Sequence, residues 1–385
     1  MLFVSLLIIE SVVRIYFAIK VGPSVLLYGS SYSREIRDFD APEAEPSRTQ
    51  EWRGTRHFRI HEETEKSAWH TDAYTDGYMK YRPNQTRVDF DPITQEKFDV
   101  SINSHGFRGE DYREEKPPGV IRVLTLGSSS TFGYFDRDDE TYPVLLEALL
   151  NQRCDAEYEV INLGIPHSRA KHILAILTHE GLKLDPDVVT FYEGVNDSLA
   201  SASPRDLERW QTRIEPLRSR LILVAFLDKI LDLRGMTFDQ ETFDTRTENM
   251  IERFLKFMGG IKYWAHEKGI HFIIAGQQAK STRIASEFIR GTSYQDEVAI
   301  IQQRALEEPV LSKLEVSFLA HARLNDRLRE WSRENDVTYV DTIAALDARR
   351  DVLMSWVHLN AEGNRMIADA LVESILDATC GVRSE

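Results

Sequence analysis

The stretch I-R-V-L-T-L-G-S-S-S-T-F-G, residues 121–133, joins a short apolar run to a turn rich in hydroxyl groups. Its first six residues predict a buried strand, because a short β-rich apolar run that ends at a glycine is typical of a parallel sheet. Four similar runs follow it, and they are Tyr158–Leu163, Asp187–Tyr192, Ile270–Ala275 and Val337–Val340.

Longer segments with helical spacing separate the five runs. These segments are Tyr142–Leu150, Ala170–Leu182, Met250–His266, Leu311–Glu334 and Glu362–Leu376. Strands that alternate with helices indicate βαβ units and a parallel sheet. We therefore predict an α/β domain over residues 119–380, with a three-layer, flavodoxin-like fold and a five-stranded parallel sheet. In such sheets the active site lies outside the carboxyl ends of the strands.

Two regions depart from this alternation. Residues 29–118 are polar and irregular and are rich in turn signals such as Pro83-Asn84, so they predict a linker and a small β-rich leader. Residues 201–244 predict an insertion in the domain, and its segment Leu217–Leu233 is markedly apolar. That segment is either a lid or acyl-binding wall over the site or a helix buried against the domain.

The first residues of the chain are mostly apolar. About 20 apolar residues span a bilayer, and residues 1–28 approach this length although Glu10, Arg14 and Lys20 interrupt them. We expect a membrane-anchor helix that can be the end of a longer one; a signal peptide and a buried amphipathic helix are the alternatives. The anchor predicts that the remaining domain is extracytoplasmic, in a bacterial periplasm or on the cell surface.

Composition argues against several classes of function. The net charge is −15, with no dense Lys/Arg cluster, which argues against a nucleic-acid partner. The two cysteines, Cys154 and Cys380, form no C-x-x-C pair, and no H-E-x-x-H motif occurs. We therefore expect neither a cofactor nor a metal.

The turn after the first strand carries the first candidate for chemistry. It matches neither a G-x-G-x-x-G dinucleotide motif nor a phosphate-binding G-x-x-x-x-G-K loop. It also lacks the second glycine of a G-x-S-x-G elbow, which would fall at Thr131. A serine in this turn is either an exposed nucleophile beside backbone N–H groups or an ordinary helix cap.

Three further strand ends carry Gly164, Asn196 and His358. Each has an ordinary structural explanation by itself: a turn glycine, an Asx-turn and a structural histidine. Because the carboxyl ends of parallel strands meet at one edge, the four features together supply a hydroxyl, two amides and an imidazole. This set predicts acyl transfer.

These strand ends resemble the four sequence blocks of the SGNH/GDSL hydrolase family, in the family's order. The blocks are Gly127-Ser128-Ser129-Ser130-Thr131-x-Gly133, Asn162-Leu163-Gly164, Gly194-x-Asn196-Asp197 and Val357-His358-Leu359-Asn360-x-x-Gly363. Residues 102–109, I-N-S-H-G-F-R-G, also resemble a leader found in membrane-anchored members.

The resemblance implies a role for each matching residue. Ser129 falls at the nucleophile and His358 at the general base, while Ser128 stands at the family's usual aspartate position. The Ser129 and Gly164 backbone N–H groups and the Asn196 side chain match the oxyanion-hole donors.

The chain departs from the family at Ser355, where the family usually has the aspartate that orients the histidine. Ser355 or a backbone carbonyl is one candidate for this orienting role, and a loop that brings in Asp351 or Asp347 is another. Trp356, beside His358, either lines an acyl pocket or packs in the core.

The resemblance leaves three functions open. The first is a serine acyl-ester hydrolase, an esterase or O-deacetylase, that acts on a small acyl ester or an acylated glycan. The second is an O-acyltransferase on an extracytoplasmic glycan, and the third is a non-catalytic binding or assembly protein.

The two cysteines are expected near each other. In the predicted fold the first and last helices of the domain pack side by side, and Cys154 and Cys380 follow them. They are therefore expected to form a disulfide if the compartment is oxidising; two unrelated free thiols are the alternative.

Overall fold

The structure, a computed structural model, describes residues 10–12, 15, 58–61, 78–81, 83–91, 96–202, 236–281 and 289–380. The strands in chain order are β1 (Phe58–His61), β2 (Tyr78–Tyr81), β3 (Gln85–Phe90), β4 (Lys97–Ile102), β5 (Val120–Gly127), β6 (Glu157–Asn162), β7 (Val188–Tyr192), β8 (Met236–Thr237), β9 (His271–Ala275), β10 (Val310–Leu311) and β11 (Thr338–Val340). The helices are α1 (Ser129–Phe132), α2 (Tyr142–Arg153), α3 (Ala170–His179), α4 (Val195–Ser201), α5 (Gln240–Lys268), α6 (Tyr294–Glu307), α7 (Lys313–Glu334), α8 (Thr342–Leu346) and α9 (Ala361–Thr379).

A five-stranded parallel sheet lies at the centre, in the order β11-β9-β7-β5-β6. Every residue of β5 is buried, as expected for a central strand that is covered on both faces. The predicted α/β class and five-stranded parallel sheet are confirmed. Because β6 and β7 flank β5, the turns that follow these three strands are neighbours at one edge.

Two apolar cores cover the two faces of the sheet. Leu124 and Leu126 of β5 point into the larger core, with buried residues of α3, α5 and α7. Ile121 and Val123 point into the other core, with buried residues of α2 and α9. This alternation follows from the two-residue period of a strand and produces the three layers.

A disulfide joins the ends of two helices on one face. Helices α2 and α9 pack against each other, and their C-terminal caps are Cys154 and Cys380. The two cysteines are bonded, with Cα atoms 6.2 Å apart. The predicted disulfide is confirmed.

The leader packs as part of the domain. Its strands form two antiparallel pairs, β1 with β2 and β3 with β4. Its buried residues Tyr81, Val100 and Phe107 belong to the same core as Leu126 of β5. The ring of Tyr81 also stacks on that of Phe132 in α1, with centroids 5.3 Å apart.

Several boundaries differ from the predicted ones. The first helix after β6 ends at His179 and is followed by a 3₁₀ turn, Gly181–Leu184. The helix predicted from Leu311 begins at Lys313, because the Ser312 side chain caps it and Leu311 pairs with β8 instead. Helix α5 begins at Gln240, inside the predicted insertion, where the Asp239 carboxylate accepts from the Thr242 N–H.

Some sequence predictions fall outside the described residues. Of the predicted anchor at 1–28, the structure describes only residues 10–12 and 15, which are helical. The apolar segment 217–233 is likewise outside the described ranges. Within them, no helix has both the length and the apolar character that a membrane span requires.

Candidate active site

The turn between β5 and α1 presents one of its three serines. Ser128 and Ser130 are buried, with exposed fractions of 1% and 5%, whereas Ser129 is partly exposed. A Cβ on Gly127 would lie 1.9 Å from Thr131 Oγ1 and 2.6 Å from the Tyr192 carbonyl oxygen, so only glycine permits this tight turn. The turn therefore exposes Ser129 at the first position of α1, where the backbone N–H has no partner within the helix.

His358, near the C-terminal end of the domain's sequence, lies next to Ser129. It lies in the loop that precedes α9, and its Nε2 is 2.9 Å from Ser129 Oγ. An isolated bridge between Leu353 and Leu359 closes this loop, and the Asn360 side chain caps the following helix by accepting from the Gly363 N–H. The two residues, which are 229 positions apart, thus have the geometry of a nucleophile and its base.

Aromatic rings enclose the imidazole of His358. The Tyr134 ring stacks on it and the Phe135 ring meets it edge-on, each with centroids 5.3 Å away. Burial, together with the nearby His167, lowers the pKa of His358 to about 3. The imidazole is therefore neutral at physiological pH, as a general base must be.

Ser355 occupies the position behind the histidine. Its Oγ is 2.8 Å from His358 Nδ1, and it accepts the backbone N–H groups of Val357 and His358 at 3.3 and 3.0 Å. A hydroxyl has two lone pairs and one hydrogen. If both lone pairs accept these N–H groups, the Ser355 O–H is left to donate to Nδ1, and the ring hydrogen of His358 then lies on Nε2.

This tautomer is the wrong one for a general base, because Nε2 must have a free lone pair to take the Ser129 proton. To reach the productive tautomer, Nδ1 has to carry the hydrogen and Ser355 Oγ has to accept it, at the expense of a backbone hydrogen bond. A carboxylate has about four lone-pair sites and could accept all three hydrogens at once.

The two aspartates considered from the sequence lie elsewhere. The Asp351 carboxylate pairs with Arg349 at 3.2 Å, and Asp347 Oδ1 accepts from the Tyr294 N–H. Trp356 packs against the larger core. Among the described residues, the side chain that contacts His358 Nδ1 is therefore Ser355.

Gly164 and Asn196 follow the two strands that flank β5. The Gly164 N–H donates to Asn162 Oδ1 at 2.9 Å, and a Cβ at Gly164 would lie 2.4 Å from the Phe132 nitrogen. Asn196, in the first turn of α4, uses one Nδ2 hydrogen to donate to the Ser168 carbonyl at 3.0 Å. An amide carries two such hydrogens, so one remains for a ligand.

Arg108 is a residue of the site that the sequence reasoning did not single out. It is buried, with 3% of its surface exposed, and its guanidinium donates to the carbonyls of Phe132, Gly133 and Asp136 and to the Asp138 carboxylate. The leader thereby fixes the segment that follows α1 and carries Tyr134 and Phe135.

The segment from β5 to the residues beyond β9 also matches a known family. Residues 125–291 fit the sequence model of the GDSL-like Lipase/Acylhydrolase family. This part of the chain is similar to that family. The match includes Ser129, Gly164 and Asn196 and ends before His358. The α/β domain, residues 119–380, is from here on called the GDSL-like domain. No curated protein matches the chain.

Solved structures similar to this chain include an esterase, a lipase and a putative lipolytic protein. The acetyl xylan esterase AlAXEase has 18% identity over 66% of this chain and 100% of its own, with a TM-score of 0.40. The lipase Lip_vut3 from a goat rumen metagenome has 15% identity over 68% and 99%, with a TM-score of 0.43. A putative lipolytic protein of the G-D-S-L family from Desulfitobacterium hafniense has 12% identity over 66% and 98%, with a TM-score of 0.40.

In the described ranges, the GDSL-like domain contains no group of three His, Cys, Asp or Glu side chains placed to hold a metal ion.

Proposed function

We propose that the GDSL-like domain hydrolyses acyl esters through an acyl-enzyme on Ser129. The observation that carries this proposal is the 2.9 Å contact between Ser129 Oγ and His358 Nε2. The proposal is also supported by exposure: Ser129 is partly exposed, whereas the serines on either side of it are buried. Of the three serines in the turn, Ser129 is therefore the one that an ester can reach and that also contacts a base.

In the proposed reaction His358 Nε2 takes the proton of Ser129 as Oγ attacks the ester carbonyl carbon. The C–O bond to the alcohol then breaks, the alcohol leaves with the proton from Nε2, and water releases the acid in the same way. The Ser129 N–H and the second Nδ2 hydrogen of Asn196 would bind the oxyanion. The Gly164 N–H would join them by giving up its bond to Asn162 Oδ1.

The proposal is tested with short-chain aryl esters, whose alcohol is a good leaving group and whose turnover is read by absorbance. Purified protein should release the phenol with saturation kinetics and without any added acceptor. A rate that depends on added glycan or polyol would indicate an O-acyltransferase. No release and no acyl-enzyme would indicate a binding protein.

We further propose that the domain works outside the cytoplasm, on a small acyl ester or an acylated glycan. The support is the disulfide between Cys154 and Cys380, since such bonds form and persist in oxidising compartments. The proposed membrane tether, residues 1–28, would hold the domain at its substrate.

Ser355→Asp is expected to raise kcat/KM by about 10- to 100-fold, because a carboxylate holds the hydrogen on Nδ1 and stabilises the imidazolium. The variant should also change the pH profile. With a pKa of about 3, His358 stays neutral in the wild type, so activity should not fall through its protonation above about pH 5. The new carboxylate raises this pKa, and the acid limb should move to higher pH.

The matched control for this experiment is Ser355→Asn, which has the size of aspartate without its charge. It should show neither the gain nor the shift in the pH profile. A large loss of activity in Ser355→Asp, with an unchanged circular dichroism spectrum, would contradict the tautomer argument. It would mean that the serine hydroxyl has a role that a carboxylate cannot take.

A further inference from the structure

A buried carboxyl group lies directly beneath the nucleophile turn. Glu193 follows β7 and Ser128 follows β5, and each has only 1% of its surface exposed. The two strands are neighbours in the sheet, and the Ser128 hydroxyl donates to Glu193 Oε2. This hydrogen bond therefore links Ser128, the residue before the nucleophile, to Glu193, the residue before Gly194.

The other oxygen of this carboxyl group faces a second element of the site. Glu193 Oε1 accepts the Asn196 backbone N–H at 2.6 Å, and Asn196 carries the side-chain amide considered for the oxyanion. One side chain therefore connects the turn that presents Ser129 with the helix that presents Asn196. Burial raises the pKa of Glu193 to about 8, so desolvation of the charged form outweighs these hydrogen bonds.

We propose that Glu193 is a positioning residue that sets the distance between the nucleophile turn and the Asn196 helix through its contact with Ser128. The inference rests on the proposed ester hydrolysis, and it assigns to Glu193 no contact with the substrate. Its effect is expected in kcat rather than in KM, because the two elements must be aligned when charge develops on the ester oxygen.

The contact pairs the carboxyl group of Glu193 with the hydroxyl of Ser128. The side chain at each of these positions therefore limits which side chain can stand at the other. In Ser128→Asp two carboxyl groups would face each other in a buried site. Because both cannot ionise there, they would have to share a proton, and the longer aspartate would have to fit in the space of the serine hydroxyl. The variant Ser128→Asp/Glu193→Asn restores a single carboxyl group. It also keeps the number of bonds between the two backbones, since aspartate is one bond longer than serine and asparagine one bond shorter than glutamate. An asparagine can still accept a backbone N–H three residues ahead, as it does at helix caps.

A double-mutant cycle on aryl-ester turnover tests the proposal. Ser128→Asp should lower kcat by about 100-fold with KM nearly unchanged, and the double variant should recover at least about tenfold of this loss. Thermal melting of each variant checks that it is folded. If Ser128→Asp does not fold, a comparison of kcat between Glu193→Gln and Glu193→Met tests the proposal instead. The glutamine keeps a polar group of the same shape and should retain kcat within about tenfold, whereas the methionine should not.

The outcomes separate this inference from the proposed function. The cycle also includes the single variant Glu193→Asn. If the wild type is active but the double variant is no faster than the product of the Ser128→Asp and Glu193→Asn effects predicts, the role of Glu193 alone is overturned. Equal kcat in Glu193→Gln and Glu193→Met would overturn it as well. A wild type without ester turnover and without covalent labelling would overturn both. Recovery in the double variant, which a general loss of stability does not produce, supports the assignment.

Discussion

Ser129→Ala should abolish both the turnover of a short-chain aryl ester and covalent labelling by a fluorophosphonate. Loss of the nucleophile in hydrolases of this mechanism lowers kcat by about 10⁶-fold and leaves only the effect of binding and of the oxyanion donors. The reason is that Ser129 Oγ lies 2.9 Å from Nε2 of His358, the base in the proposed reaction. The measurement is phenol release, together with mass spectrometry of the labelled peptide.

The neighbouring serines provide the matched controls. Ser130 Oγ donates to the Val357 carbonyl at 3.3 Å, and the Ser128 hydroxyl donates to the Glu193 carboxyl group. Neither hydroxyl therefore faces Nε2 of His358. Ser130→Ala and Ser128→Ala should therefore still be labelled. Labelling that persists in Ser129→Ala but disappears in Ser128→Ala would place the nucleophile one residue earlier.

Removal of the disulfide should produce the largest loss of stability. Cys154 and Cys380 are 226 positions apart, and cross-linking so long a loop restricts the unfolded chain by about 5 kcal/mol in the chain-entropy treatment. We expect Cys154→Ser/Cys380→Ser to lower the free energy of unfolding by about 3–5 kcal/mol, with kcat nearly unchanged because the bond lies at the C-terminal ends of α2 and α9.

Urea unfolding of the oxidised protein, the reduced protein and the double serine variant measures this effect. The reduced protein and the variant should unfold at similar urea concentrations, and a reductant should not shift the variant. Equal stability of all three would contradict the prediction. Two free thiols in unreduced protein from an exporting cell would also remove the support for an extracytoplasmic location.

The sheet could be predicted because its strands are buried on both faces. A run such as Val120–Gly127 needs no alternation, and its apolar residues stand out against the polar leader. Polar helices were harder to place. Helix α6 has few buried positions, and the first turns of α5 are largely exposed, so apolar spacing did not mark them. The capping box of Ser293 and Asp296 at the start of α6 was the signal that could have identified it.

The residues of the candidate site that could be predicted from the sequence are those that follow strand ends. Ser129 and His358 follow from that placement, since topology brings strand ends to one edge. Arg108 and Glu193 do not, because a single charged residue in a sequence gives no sign that its partners are carbonyl groups or a buried hydroxyl. The tautomer of His358 was also beyond the sequence, since it depends on which hydrogens Ser355 Oγ already accepts.

The hydrogen bonds of Arg108 have a consequence for how this protein can be divided and recombined. The platform that holds Tyr134 and Phe135 beside His358 is anchored by a residue upstream of the first strand of the sheet. A chimera that takes residues 125–291 from this chain would leave out both Arg108 and His358. The segment to transfer runs instead from about β2 to Cys380. Exchange of the leader alone would change the residues that hold Tyr134 and Phe135 beside His358, while Ser129, His358 and the sheet keep their own sequence.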